Sequence, residues 1–161
     1  MRIGTQQAGR PDDRGWSLIE LMVVVMIVAL LLAIGLPSFL GFRGGAQDSA
    51  AQASLNTAEK AATAVLVEDE QFPSTAALLV RLPAIEPGLQ WLDHMVDSAG
   101  PGEVSIDEDD GGNELSMAVM SDSGTCYYQR LVKPSVTVRH HVEDAATCNA
   151  HSFQDGAGVG W

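Results

Sequence analysis

Apolar residues crowd into one block near the N-terminus of this chain and thereafter recur with shorter periods. Residues 21–42 carry no charge, and 21–36 are apolar throughout apart from Gly35. As a helix rising about 1.5 Å per residue, these 22 residues cover roughly 33 Å, enough to cross a hydrocarbon core of about 30 Å. Val23, Val24, Val25, Ile27 and Val28 are β-branched and would suit a strand in water. An open strand in lipid leaves its backbone groups unpaired, so the block reads as a membrane-spanning helix. It is too long for the core helix of so small a chain.

Beyond the block the pattern changes twice. Pro37, Gly41, Gly44 and Gly45 weaken the helix, as a membrane exit or as a flexible joint. Over 46–67, Leu55, Ala58, Ala62, Val65 and Leu66 recur at helical spacing and give one apolar face for a sheet to cover. Residues 68–71 and the pair Phe72-Pro73 close this helix. Ser74 is placed to cap a short helix through Leu82, which Pro83 should end. Downstream the period is two: Leu115, Met117 and Val119 alternate with Ser116 and Ala118, and Val136 and Val138 with Thr137 and Arg139. Residues 89–92, 103–106 and 126–132 are further strand candidates. The expected class is α+β, a long N-terminal helix against a small antiparallel sheet of three to five strands.

The flanks of the block set its orientation. Arg2, Arg10 and Arg14 precede it and only Arg43 follows closely, which puts the N-terminus in the cytoplasm and the rest outside. The nearest small-x-small signal-peptidase triplet, Ala51-Gln52-Ala53, is too far beyond the apolar run to serve. The run Arg14-Gly15-Trp16-Ser17-Leu18-Ile19-Glu20-Leu21 closely resembles the cleavage and methylation signature of type IV prepilins and type II secretion pseudopilins. The likeness is close over 14–66 and general beyond. One departure is Trp16, where that family more often has phenylalanine. The resemblance implies cutting by prepilin peptidase between Gly15 and Trp16, N-methylation of Trp16, and a pilin-like fold loosened near Pro37. A glycine at the cut suits a protease that must approach the backbone closely.

Glu20 is the sharpest single residue. An acid at the membrane centre costs about 2.5–3.5 kcal/mol, against roughly 3–7 kcal/mol returned by the Leu, Ile and Val residues of 21–36. Insertion therefore survives it. On residue chemistry alone, Glu20 is either an interfacial acid reaching water or a charge awaiting a partner. The resemblance supplies that partner: the amine of Trp16 on a neighbouring subunit.

Composition removes several functions. The net charge is -12 and the pI about 4.4, a surface that repels phosphates, so no nucleic-acid partner is expected. Cys126 and Cys148 lie on the exported side, where a disulfide is favoured, as the resemblance also implies. His140 and His141 cannot easily face one ion from a strand, so no metal site is expected there. Residues 107–113 form an acidic run in which Asp110-Gly111 signals a hairpin turn rather than a calcium loop. No nucleophile, phosphate-loop or dinucleotide motif appears, and no enzyme or cofactor is expected.

The organisation read from these features is a cytoplasmic leader at 1–15, a transmembrane and assembly helix at 16–42, an exported amphipathic half-helix at 43–70 and a β-rich head at 71–161. The expected function is that of a structural subunit of a type IV pilus-like filament at the cell surface. Its partners would be copies of itself in a helical array, prepilin peptidase and the inner-membrane assembly machinery. The alternatives are a pseudopilin of type II secretion or DNA uptake, and a membrane-anchored extracellular binding module.

Overall fold

A computed structural model describes residues 15–109, 111–134, 136–153 and 160–161. The expected leader before Gly15, with Arg2, Arg10 and Arg14, lies outside the described residues, as does Asp110 of the acidic turn. The chain divides into two compact units, Met1–Leu40 and Gly41–Trp161. Helix α1 (Leu18–Asp69) begins in the first and ends in the second.

In the first unit α1 is apolar on all sides, and its described side chains are exposed. Trp16 is 75% exposed and Ile34 76%, and Leu21, Val24, Ile27 and Leu31 are exposed as well. By length and composition this helix can cross a membrane. It runs through Pro37 without a break.

In the second unit α1 becomes one-sided. Ala51, Leu55, Ala58, Ala62 and Val65 are buried at alternating steps of four and three. Three of the five are alanine. The helix stops where Glu70 takes a left-handed conformation (φ 61).

Five strands follow: β1 (Gln90–Leu92), β2 (Glu103–Glu108), β3 (Glu114–Met120), β4 (Cys126–Val132) and β5 (Val136–Val142), in the spatial order β1-β2-β3-β4-β5. Val104, Ile106, Leu115, Met117, Val119, Tyr127 and Leu131 point to the α1 side and complete its core. Ala118, Cys126 and Tyr128 point to the other side, where Cys148 and Phe153 cover them.

Three expectations change. The sheet is mixed, because β1 pairs with β2 in parallel while the other pairs are antiparallel. The connection from Asp93 to Gly102 carries the chain back to the start of β2, so β2 runs in the same direction as β1. Helix α2 (Thr75–Ile85) is not ended by Pro83 but contains it. Pro83 falls in the last turn, where it removes a single helical bond, and the Glu86 N–H still reaches Leu82 O at 2.8 Å. Ser74 does occupy the N-cap, without a side-chain cap bond; its backbone carbonyl accepts from Ala77 and Leu78. The hydroxyl of Thr75 instead accepts from the Glu108 N–H at 3.0 Å and ties α2 to β2.

On β5 the polar residues of the alternation face inward. Thr137 and Arg139 face α1, while Val136 and Val138 are exposed. The cause is Glu59 on α1, whose carboxylate accepts from Thr137 Oγ1 at 3.0 Å and pairs with Arg139 at 2.9 Å. A half-buried carboxylate needs such donors, and β5 supplies both.

Candidate functional site

The candidate site is the start of α1. Ser17 is the N-cap: its side-chain oxygen lies 3.4 Å from the Ile19 N–H, and its carbonyl accepts from the Leu21 N–H at 3.2 Å. Glu20 reaches back, and its Oε2 accepts from the Ser17 N–H at 3.0 Å. The Glu20 contact is the reach-back half of a capping box, with the Ser17 side chain on the Ile19 N–H instead of that of Glu20, and it places an acid at the positive end of the helix dipole. The Ser-x-x-Glu spacing was present in the sequence and is the signal that sequence reading passed over.

Trp16 stands one residue before the cap, outside the helix. With Ile19, Glu20, Val23 and Val24 it lines a shallow, largely apolar notch on the helix surface. An exposed aromatic ring, a carboxylate and an uncovered aliphatic helix thus meet within the first two turns. Among the described residues no partner other than Ser17 engages Glu20. Gly15 precedes Trp16, and a Cβ added there would meet nothing within 4 Å. The fold itself does not require glycine at that position.

The remaining residues read from sequence lie elsewhere. Pro37 is inside α1. Cys126 and Cys148 form a disulfide with their Cα atoms 5.5 Å apart, behind the sheet. The Asp97 carboxylate accepts from the Cys148 N–H at 2.9 Å and from Asn149 Nδ2 at 2.8 Å, which seats the segment carrying the second cysteine. His141 stacks on Tyr127 on the α1 side and His140 on Tyr128 behind the sheet, so the two imidazoles face apart.

The acidic turn uses its carboxylates on its own backbone. Asp109 Oδ1 accepts from the N–H groups of Asn113 and Glu114, and Glu108 Oε1 from that of Gly112. Gly112 has φ 66 and lies against Phe72 O, where a Cβ would clash at 2.7 Å. Among the described residues no group of three or more His, Cys, Asp or Glu side chains could hold a metal ion.

The phenol of Tyr127 is displaced from its ordinary value. Burial pushes it above the ordinary value of 10.0; the nearby carboxylates of Asp48 and Glu143 also raise it, and a hydrogen bond with Gln52 opposes them.

A known sequence motif falls on this same segment. Residues 10–36 match the prokaryotic N-terminal methylation motif. Over 66 residues the chain is 35% identical to a type IV major pilin of Myxococcus xanthus, a match covering 41% of this chain and 30% of that protein. Over 71 residues it is 35% identical to the type IV wide pilus major component of Thermus thermophilus, covering 44% of this chain and 54% of that one. The chain therefore spans less than two thirds of the length of either pilin. A fimbrial protein of Pseudomonas aeruginosa is 26% identical over 114 residues, 70% of this chain and 72% of its own. No solved structure matches the chain. The start of α1 thus carries the prokaryotic N-terminal methylation motif, and the chain is similar over part of its length to type IV pilins.

Proposed function

We propose that the chain is the structural subunit of a type IV pilus-like filament, with a mechanical rather than an enzymatic role. The observation that carries this reading is the first half of α1, apolar and exposed at its described residues and overlapping the match to the methylation motif. Such a surface is costly in water, at about 25 cal/mol per Å² of apolar area, and needs either lipid or other helices of its kind.

Both environments are used in turn. As a precursor the subunit sits in the cell membrane through 16–42, with 1–15 in the cytoplasm and the β-rich part outside. Prepilin peptidase removes the leader after Gly15 and the new amine of Trp16 is methylated. The helix then leaves lipid for the centre of a filament, where its neighbours are the same helix from other copies. Glu20 belongs in that step. An unpaired charge among packed helices costs several kcal/mol, and the Trp16 amine of a neighbouring copy offsets it while fixing the axial register of an otherwise slippery apolar rod. Methylation keeps the amine charged.

Electron microscopy with an antibody against residues 71–161 tests the reading. Filaments decorated along their length are expected from cells that express the chain together with prepilin peptidase. Undecorated filaments, with all of the antigen remaining in membranes, would contradict it.

A further inference from the structure

The buried stripe of α1 runs back from Val65 through Ala62, Ala58 and Leu55 to Ala51. The next step on that stripe is Asp48, and the two after it are Gly44 and Gly41. Apolar contact with the sheet therefore gives way at Asp48 to a polar one. Asp48 Oδ1 accepts the hydroxyl of Ser121 at 2.8 Å and that of Ser123 at 2.5 Å. Both serines belong to the turn between β3 and β4, which is closed by the Ser121 N–H on Thr125 O at 2.8 Å and the Gly124 N–H on Ser121 O at 3.0 Å. Gly124 has φ 92, so the turn is held in a shape that an L side chain would resist.

On the other side of this contact the helix is weak. A Cβ added at Gly41, Gly44 or Gly45 would meet nothing within 4 Å, so packing inside the chain does not call for glycine. Each costs the helix about 1 kcal/mol relative to alanine. Fraying that starts in such a stretch spreads along a helix until a tertiary contact stops it. An aliphatic contact could slide along the stripe. Two hydroxyls on one carboxylate oxygen are directional, and fix both the height and the rotation of the helix on the sheet.

We infer that Asp48, Ser121 and Ser123 form a clasp that sets where α1 leaves the head, so that loosening of the glycine stretch stops at Asp48 and leaves the head folded. The purpose of the clasp, to let the helix adjust while subunits pack, rests on the filament reading; its existence does not. Ser121 and Ser123 are thereby positioning residues for the helix.

The test uses the full chain in detergent micelles, unassembled, by hydrogen exchange with mass spectrometry. Asp48→Ala and the double change Ser121→Ala, Ser123→Ala should speed exchange of amides 48–54 by about tenfold or more, as for loss of a hydrogen bond to a charged group. Amides 58–66 and those of β3 and β4 should keep wild-type rates. Asp48→Asn, a neutral acceptor of the same shape, should fall between. Ultraviolet titration gives a second reading: Asp48→Asn should lower the ionisation midpoint of Tyr127, whose phenol feels the Asp48 charge. Wild-type exchange at 48–54, or equal acceleration through the whole sheet, would overturn the clasp. These measurements need no filament, so their failure is separate from undecorated filaments, which would count against the filament reading alone.

Discussion

The carboxylate of Glu20 accepts a hydrogen bond from the backbone N–H of Ser17 at 3.0 Å, so the acid that starts the apolar segment also starts its own helix. Two roles therefore coincide on one side chain. One is a cap, worth about 0.5–2 kcal/mol at a helix N-terminus. The other is the charge that the filament reading assigns to a neighbouring amine. Glu20→Val removes both at once, whereas Glu20→Gln keeps an oxygen for the Ser17 N–H and removes only the charge.

Gly15 offers a test of processing. The fold tolerates a side chain at that position, since an added Cβ meets nothing, so any need for glycine comes from an outside protein. Gly15→Val should leave the helix inserted and the leader uncut, and intact mass should show the full precursor. The wild-type chain should begin at Trp16 with an added methyl group. Efficient cleavage of the variant, or a wild-type start elsewhere, would contradict the assigned site.

Gln129 carries a stability prediction. It is fully buried on β4, between Met117 and Arg139 of the adjoining strands, and among the described residues neither Oε1 nor Nε2 has a hydrogen-bond partner. Such groups cost about 1–3 kcal/mol each when left unsatisfied. Gln129→Met, close in volume and without those polar groups, should raise the unfolding free energy by about 1–3 kcal/mol and the urea midpoint with it. A lowered midpoint would show that the amide contributes something the contacts do not reveal.

The cysteine bridge carries another. Cys126 and Cys148 are 22 residues apart in sequence and both fully buried. Closing a loop of that length contributes about 3 kcal/mol through the unfolded chain. Reduction, or Cys148→Ser, should lower the unfolding midpoint accordingly, and the unreduced protein should resist alkylation. Full labelling of both thiols without reductant would contradict the bridge.

Much of the architecture was legible because it depends on local pattern. The uncharged block at 21–42 and the positions 55, 58, 62 and 65 show the two characters of α1 directly. The alternation at 115, 117 and 119 gives β3 and its residues in the core shared with α1, but not that Ser116 and Ala118 are buried on the other face. What escaped depends on distant partners or on the path of a loop. Asp48 meets Ser121 and Ser123 from 73 and 75 residues away, and no spacing rule links them. The parallel pairing of β1 follows from how the chain returns after Asp93, which its composition does not encode. On β5 the alternation did not reveal which side is buried, and the demand of Glu59 for donors puts Thr137 and Arg139 inward. Ser17 differs from these, because its capping signal is local and was plainly readable.

The most direct test of the filament account compares wild type with Glu20→Gln in the same cells. Processed subunit is measured in membranes and, separately, in filaments sheared from the surface. The helix start should survive through the amide oxygen, so insertion and cleavage should match wild type. The amount in sheared filaments should fall sharply, because the buried amine of Trp16 has lost its counter-charge. Wild-type quantities of Glu20→Gln subunit in filaments would mean that Glu20 serves only as a cap and that assembly through paired charges is wrong.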